Sequence, residues 1–386
     1  MHLDLDRDFT PEEQRRERAF RRRVRPWGLG GVALGVLAPT VLLLTGAVGS
    51  VAAAVQPWWL AVVAVVTLVE GTVRLLTIPG AVQVRRESLR VGLAAGSWAR
   101  WWRDLGVAWL LGWALTSAAM LGWVLAARLL PGSWWWVVAG VAALLVVLLS
   151  FVVPVVVEPL FAKFAPMPPG PLRDRLLALA GTAGVPVRDV LVADASRRTT
   201  ALNAYVSGLG PTRRIVVHDT LIDRGADEAA AVVAHELGHV VAHDVRTGTL
   251  LGAAGAAVGV LVAAALLAWS PLLEATGVRG ADDPAVAGLL LVLGAWAGLL
   301  GAPLTNGLSR RIERRADAFC LDLGRDPYAV ARMHRALAVT NIAPLKPVRL
   351  LHVWFGTHPT SPERIAAARA WAVRHGLPDV PPLAGG

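Results

Sequence analysis

Apolar residues gather along this chain in six long runs, at 28–50, 57–76, 105–127, 134–157, 250–269 and 285–304. A helix of about twenty apolar residues spans the hydrocarbon of a bilayer, so each run predicts a transmembrane helix. Between the fourth and fifth runs the pattern changes. Pro166, Pro168, Pro169 and Pro171 punctuate the exit from the membrane. Positions 172–180 then carry apolar residues at helical spacing, with Arg173, Asp174 and Arg175 on another face. Short β-branched runs at 190–193 and 214–217 predict strands, with a third at 204–207. A helix is predicted over 227–245, and Asp326-Pro327 and Ser361-Pro362 place capping residues before first-turn prolines. Gly376 reads as a stop, and there is no internal repeat. The pattern divides the chain into a basic tail (1–26), a four-span membrane region (27–158), a first polar part (159–249), a transmembrane hairpin (250–305), a second polar part (306–376) and a flexible tail (377–386).

Composition narrows the class. The chain has 386 residues, 55% hydrophobic and 17% charged, which excludes an ordinary soluble enzyme, a disordered regulator and a fibrous repeat. The single cysteine, Cys320, excludes a disulfide scaffold and an all-thiolate metal site within the chain. The net charge of +10 does not read as a nucleic-acid interface, because the arginines flank apolar runs instead of forming one patch. Arg21, Arg22, Arg23 and Arg25 precede the first run, and Arg85, Arg86, Arg90, Arg100 and Arg103 lie between the second and third. The alternate connections are nearly free of positive charge, so both termini and the polar region are expected on the cytoplasmic side. Trp58, Trp59, Trp134 to Trp136 and Trp269 lie near outer span ends, as interfacial anchors do. No cleavable signal peptide is evident, and the arginine bias suggests a GC-rich bacterium and its cell membrane.

The most specific chemistry is His235-Glu236-Leu237-Gly238-His239. Residues four apart on a helix differ by about 40°, so both imidazoles share a face, while Glu236 is displaced by about 100° towards a bound water. A catalytic zinc needs a third protein ligand and an open position. His243, His358 and Glu313 compete for that role. His243 drifts about 80° from His235 on the same helix, which cannot easily surround a tetrahedral ion. Glu313 is favoured by topology, because the two apolar runs between it and His239 form a hairpin that leaves the membrane surface and returns to it. Asp317, four residues on, shares its face and can orient a histidine from the second shell. The plainer reading makes Glu313 one acid of the charged run 310–317.

Asn306-x-x-Ser309-Arg310-x-x-Glu313-x-x-Ala316-Asp317 resembles the third-ligand helix of membrane zinc proteases related to CAAX prenyl protease 1. Asp194-Ala195-Ser196-Arg197-Arg198 with Asn203-Ala204-Tyr205 and Gly208 resembles that family's substrate-cleft segment. Asp219-Thr220-Leu221-Ile222, His358-Pro359 with Arg364-Ile365, and the junction Pro159-Leu160-Phe161 to Phe164 match it as well. The resemblance covers roughly 154–369. It implies a mainly α, polytopic membrane protein with a cytoplasmic zincin-like α+β protease domain carrying a small β-sheet. It further implies one Zn2+ per chain on His235, His239 and Glu313, Glu236 as catalytic base, and His358 and Arg364 near the reacting carbonyl. Asn203, Ala204 and Tyr205 would bind substrate. The expected activity is a membrane-integral zinc endopeptidase acting on membrane-associated or C-terminally prenylated polypeptides. Its alternatives are a heat-shock-type quality-control protease and a catalytically inactive membrane scaffold. An intramembrane site-2-type protease fits less well, because charged residues bracket the histidine pair. Eukaryotic members typically carry seven spans where six are read here. The expected partners are a peptide or membrane-protein substrate and the lipid bilayer; the sequence carries no mark of an oligomeric state.

Overall fold

The fold follows from long helices that outrun the membrane. A computed structural model describes residues 4–208, 210 and 213–384, apart from the side chains at 154, 155, 158 and 159; Met1 to Leu3 and Gly385–Gly386 of the two tails lie outside the described residues, and so does the Pro159 side chain of the junction motif. After a short helix α1 (Leu5–Asp8), α2 (Pro11–Leu44) starts at Thr10, whose side chain and that of Glu13 form a reciprocal capping box. Then come α3 (Ala47–Ala54), α4 (Trp58–Arg90), α5 (Trp98–Leu129), α6 (Trp134–Val152), a π-helical turn (Val153–Val157) and α7 (Glu158–Phe161). The polar part contains β1 (Phe164–Pro166), α8 (Pro171–Thr182), β2 (Asp189–Ala193), β3 (Ala204–Ser207), β4 (Arg214–His218), α9 (Asp219–Ile222) and α10 (Ala226–Val241). The chain closes with α11 (Asp244–Leu266), α12 (Ser270–Thr276), α13 (Val286–Gly324), α14 (Pro327–Thr340), α15 (Arg349–Phe355) and α16 (Ser361–Arg374).

Among the described residues, α2, α4, α5, α6, α11 and α13 are long and apolar enough to cross a membrane. The protein is a multi-pass membrane protein. These helices form a ring, each packed on the next: α2 on α4, α4 on α5, α5 on α6, α6 on α11, and α13 against both α11 and α2. One end of the ring is closed by an apolar cluster that includes Val48, Val62, Val66, Trp123, Val286 and Leu289. The other end carries a domain built from the polar part of the chain.

That domain has a four-stranded sheet in the order β1-β2-β4-β3. β2 and β4 are parallel, and β1 and β3 are antiparallel edge strands, with Ala204 opposite Val217. β1 is not predicted from the sequence, because three residues ending in a proline carry no alternation to read. Buried Ile215 and Val217 on β4 pack with Val233 and Leu237 of α10, and the same core reaches Met333, Ile365 and Trp371.

Both tails differ from expectation. Residues 11–26 are not a separate tail but the first turns of α2, continuous with the span. Phe9 is fully buried in the core of the polar domain, and Asp8 receives two hydrogen bonds from Arg369, at 2.6 and 2.5 Å. The segment 377–384 is docked instead of flexible: Val380 and Leu383 are buried, and Leu383 N–H donates to Arg7 O at 2.9 Å. Two apolar anchors among prolines are enough to hold it. The helix predicted over 227–245 also breaks early. α10 stops at Val241 and His243 takes a left-handed conformation (φ 56°) before α11 begins.

Candidate metal centre

The histidine helix and the returning span touch because one side chain is missing. A Cβ on Gly238 would lie 3.1 Å from Phe319 Cδ1 and 3.2 Å from Ala316 Cα, so α10 and α13 pack backbone to side chain at that point. This contact brings Glu313, three residues before Ala316, onto the imidazoles. His235 Nε2 lies 3.2 Å from His239 Nε2 and 3.4 Å from Glu313 Oε2, and His239 Nε2 lies 3.6 Å from Glu313 Oε1. The three ligand atoms all fall within 4.8 Å of one another.

The outer ring nitrogens decide what these atoms can do. His235 Nδ1 is 3.0 Å from Asp317 Oδ1, and His239 Nδ1 is 2.9 Å from Asp244 Oδ2. With both Nδ1–H groups donating to carboxylates, both Nε2 atoms present lone pairs to each other and to Glu313. Lone pairs that close repel unless a proton or a metal cation sits among them. Glu313 Oε2 is also buried with no hydrogen-bond partner. A tetrahedral ion with bonds of about 2.0–2.1 Å separates its ligands by about 3.4 Å, which the three observed edges match. The donor set therefore fits a divalent cation held by two nitrogens and one carboxylate, with a fourth position left for chemistry.

Electrostatics agree. Burial alone would lower the His235 imidazole, but hydrogen bonds to Asp317 and Glu313 overcome it and hold it at about 9. So strong a demand for positive charge is one that a cation can satisfy. Burial raises the Glu236 carboxyl, and the nearby Glu313 charge adds to it while the imidazoles oppose it. Among the described residues no hydrogen bond or ion pair ties Glu236 down, which leaves it free to take a proton.

The remaining predicted residues fall around this centre. Arg364 Nε donates to Asp317 Oδ2 at 2.8 Å, and its Nη2 lies 3.5 Å from Glu313 Oε2. His358 Nε2 is 3.3 Å from Glu313 Oε1, and its Nδ1 faces Thr357 Oγ1 at 2.7 Å. A cavity of about 430 Å³ lies beside them, lined among others by Asn203, Glu236, His334, Asn341, Thr357 and Arg364. Asn203 is exposed at the start of β3, whereas the Ala204 side chain is buried in the core, so only its backbone can meet a ligand. Tyr205 sits edge-on to His218. His243 stays outside the site at the helix break. The two motif segments before α10 lock each other: Ser196 N and Oγ both donate to Asp219, and Thr220 Oγ1 donates to Ala201 O at 2.8 Å.

Three participants escape sequence reading. Asp244 is aimed at His239 only because the helix breaks at His243, and Arg315 pairs with it from α13. His334 is fully buried 3.5 Å from Asp317, and burial together with the Arg364 charge lowers it to about 4. Asn341 exchanges hydrogen bonds with Leu202 backbone N and O at 2.9 and 3.3 Å, fixing the approach to β3. For Asp244 the signal is its place just after the motif; for the other two no spacing marks them.

A ring of membrane helices carrying a buried two-histidine, one-glutamate centre beside a cleft defines a membrane metalloprotease. The chain belongs to peptidase family M48, which matches residues 167–372. It is 28% identical over 284 residues to the uncharacterized metalloprotease YhfN of Bacillus subtilis, covering 73% of this chain and 67% of that one. It is 32% identical over 232 residues to a CAAX prenyl protease 1 homolog of Oryza sativa, covering 56% and 51%. The chain thus spans about half the length of this plant relative. The crystal structure of Ste24p from S. mikatae superposes with a TM-score of 0.80 at 20% identity, over 92% of this chain and 88% of that one, and shares the fold.

Proposed function

We propose that the chain is a zinc-dependent endopeptidase in which His235, His239 and Glu313 hold the metal. The observation that carries this is the set of three converging ligand atoms backed by carboxylates on both Nδ1 atoms. Zinc bound there supplies a Lewis acid for the scissile carbonyl and lowers the pKa of a water towards ~7. Glu236, beside the ligand face and unpaired among the described residues, accepts the proton of the attacking water and passes it to the leaving amine. Arg364 and His358, both within 3.5 Å of Glu313, donate to the oxygen on which charge develops. One such donor is typically worth ~3 kcal/mol of transition-state stabilisation. Asp317 acts through His235 and Arg364 by fixing their orientation.

Substrate adds as an extended strand alongside β3, an edge strand of the sheet, next to Asn203 on the cleft wall. The substrate class we infer is membrane-associated polypeptide, including C-terminally prenylated chains, as the name of the Oryza relative suggests. The protease domain lies on the cytoplasmic side by the arginine distribution, in what we infer to be a bacterial membrane. The test is Glu236→Gln in purified protein, with metal per chain and peptide cleavage measured together. Cleavage should fall by several orders of magnitude with metal content unchanged; persistent turnover would refute the assignment. Comparing membrane proteomes with active and Glu236→Gln protein separates a specific processing role from general quality control.

A further inference from the structure

The chain entering β3 is extended before the strand begins, and its backbone groups alternate between two sides. Thr200 N–H donates to Leu93 O at 3.1 Å, in the connection between α4 and α5. Ala201 O accepts from Thr220 Oγ1 at 2.8 Å, just past β4. Leu202 turns back: its N–H donates to Asn341 Oδ1 at 2.9 Å, and its C=O accepts from Asn341 Nδ2 at 3.3 Å. Asn203 O then accepts from the His218 N–H of β4 at 3.0 Å. Within the strand Ala204 lies opposite Val217 and Val206 opposite Ile215. Next to the bonded pair Asn203 and His218, these are the pairs whose N–H and C=O groups point away from β4. β3 is an edge strand, so that outward side is where an added strand pairs.

The outward positions are not equivalent. Thr200 is held by backbone of the α4–α5 connection. Leu202 is held by a side-chain amide, which presents an acceptor and a donor together as a neighbouring strand does. Ala204 and Val206 come next, past the cavity wall formed by Leu202, Asn203, Glu236 and Asn341. Asn341 also caps α14, but for that it uses only its backbone N–H, donated to Leu337 O. The residue after it fixes its aim. Ile342 has φ 48°, a left-handed conformation that strains a β-branched residue. Its side chain is buried, and Arg21 Nη2 of α2 donates to its carbonyl at 2.6 Å. Strain of this kind persists only where the surroundings over-determine it.

We propose that Asn341 is a specificity-determining residue: its side-chain amide is the end stop of the substrate strand, occupying the rung at Leu202 so that a peptide pairs with Ala204 and Val206 and no further. The bound strand is thereby limited in length at one end. This rests on the protease reading and on substrate pairing along β3; the hydrogen bonds at Leu202 do not.

The test lengthens a quenched-fluorescent peptide of about six residues by one alanine at a time from either end. The kcat/KM of each peptide is measured for the wild type and Asn341→Ala, with metal per chain and circular dichroism on both. In the wild type, lengthening at one end should stop raising kcat/KM at a fixed length. In Asn341→Ala, about two further residues, one rung of an edge, should raise it by another three- to tenfold or about that, at that end alone. Ratios taken within each protein cancel a general loss of activity. A merely structural Asn341 lowers every peptide by one factor, and the same length profile in both proteins would overturn the stop, as would a shift at both ends. Asn341→Ser, short and unable to span both Leu202 groups, is run in parallel and should shift alike. Amide exchange resolved to single residues, in Glu236→Gln protein, gives a readout independent of turnover. With Asn341→Ala added, the long peptide should slow exchange at Leu202 at least about tenfold and the short one should not. Equal slowing by both, or by neither, would overturn the stop. Failure of the wild type to cleave any peptide of the series would refute the protease reading instead, and the exchange result would still decide the stop.

Discussion

Asp317→Asn keeps the shape of a buried side chain and removes the property the centre uses. Asp317 is nearly buried and accepts from three directions: His235 Nδ1 at 3.0 Å, Arg364 Nε at 2.8 Å and Arg364 Nη2. Asparagine offers one carbonyl and one amide. If the carbonyl faces His235, the amide meets the guanidinium donor to donor; if it faces Arg364, the amide meets the Nδ1–H. In the second case the imidazole relieves the clash by moving its proton to Nε2, the atom that must keep a lone pair for the metal. Loss of such a supporting carboxylate costs about 10- to 100-fold in metal affinity, or about 1.4–2.7 kcal/mol. The assay is competition against a fluorescent chelator at fixed pH, with circular dichroism on the same sample to restrict the reading to folded protein. Folded Asp317→Asn with wild-type metal affinity would refute the role of Asp317 and the tautomer argument with it.

Three further predictions follow from the same contacts, beginning with pH. In the metal-free protein His235 is held at about 9, above the ordinary 6.5, so its stabilising contribution is fully present below pH 6.5 and is lost as pH rises through 9. Thermal melting of chelator-treated protein should fall across that window, while metal affinity rises by about tenfold per pH unit as the proton leaves; a flat profile in both would contradict the buried pairing. Gly238→Ala forces a methyl into the α10–α13 contact and should cost about 1–3 kcal/mol in stability, with weakened metal binding, read by melting and chelator competition. Asp8→Asn breaks a buried pair with Arg369 and should cost about 3–5 kcal/mol, read as a lowered melting temperature.

The membrane ring was legible because apolar runs have one physical meaning at that length. The convergence of His235, His239 and Glu313 was legible for a different reason: helical spacing puts the two histidines on one face, and a hairpin between His239 and Glu313 makes a meeting topologically cheap. What stayed hidden lies at ends and breaks. β1 is too short to alternate. Phe9, Val380 and Leu383 are single apolar anchors in polar or proline-rich surroundings, and only tertiary packing distinguishes them from frayed tails. His334 sits on the apolar face of α14, where a histidine reads as core, and nothing in its spacing points to Asp317.

The helix break at His243 shows why local rules fail where function begins. A continuous 227–245 helix satisfies periodicity, yet it would carry Asp244 about 140° around from His239, away from the ring nitrogen it must hold. Ending α10 at Val241, with a left-handed residue at His243, costs backbone strain of order 1 kcal/mol for a residue other than glycine. The return is that Asp244 stands as an acid in the first turn of α11 and takes the His239 Nδ1–H from there. The break also sets α11 off as a separate helix running into the membrane. Arg315, two residues after Glu313 on α13, then ties Asp244 to the returning helix. Each histidine of the candidate ligand pair is thus oriented by a carboxylate on a helix that continues into the bilayer, Asp317 on α13 and Asp244 on α11. The metal centre and the membrane ring are in that sense one construction: a shift of either span relative to α10 moves a carboxylate off an imidazole before it moves a ligand.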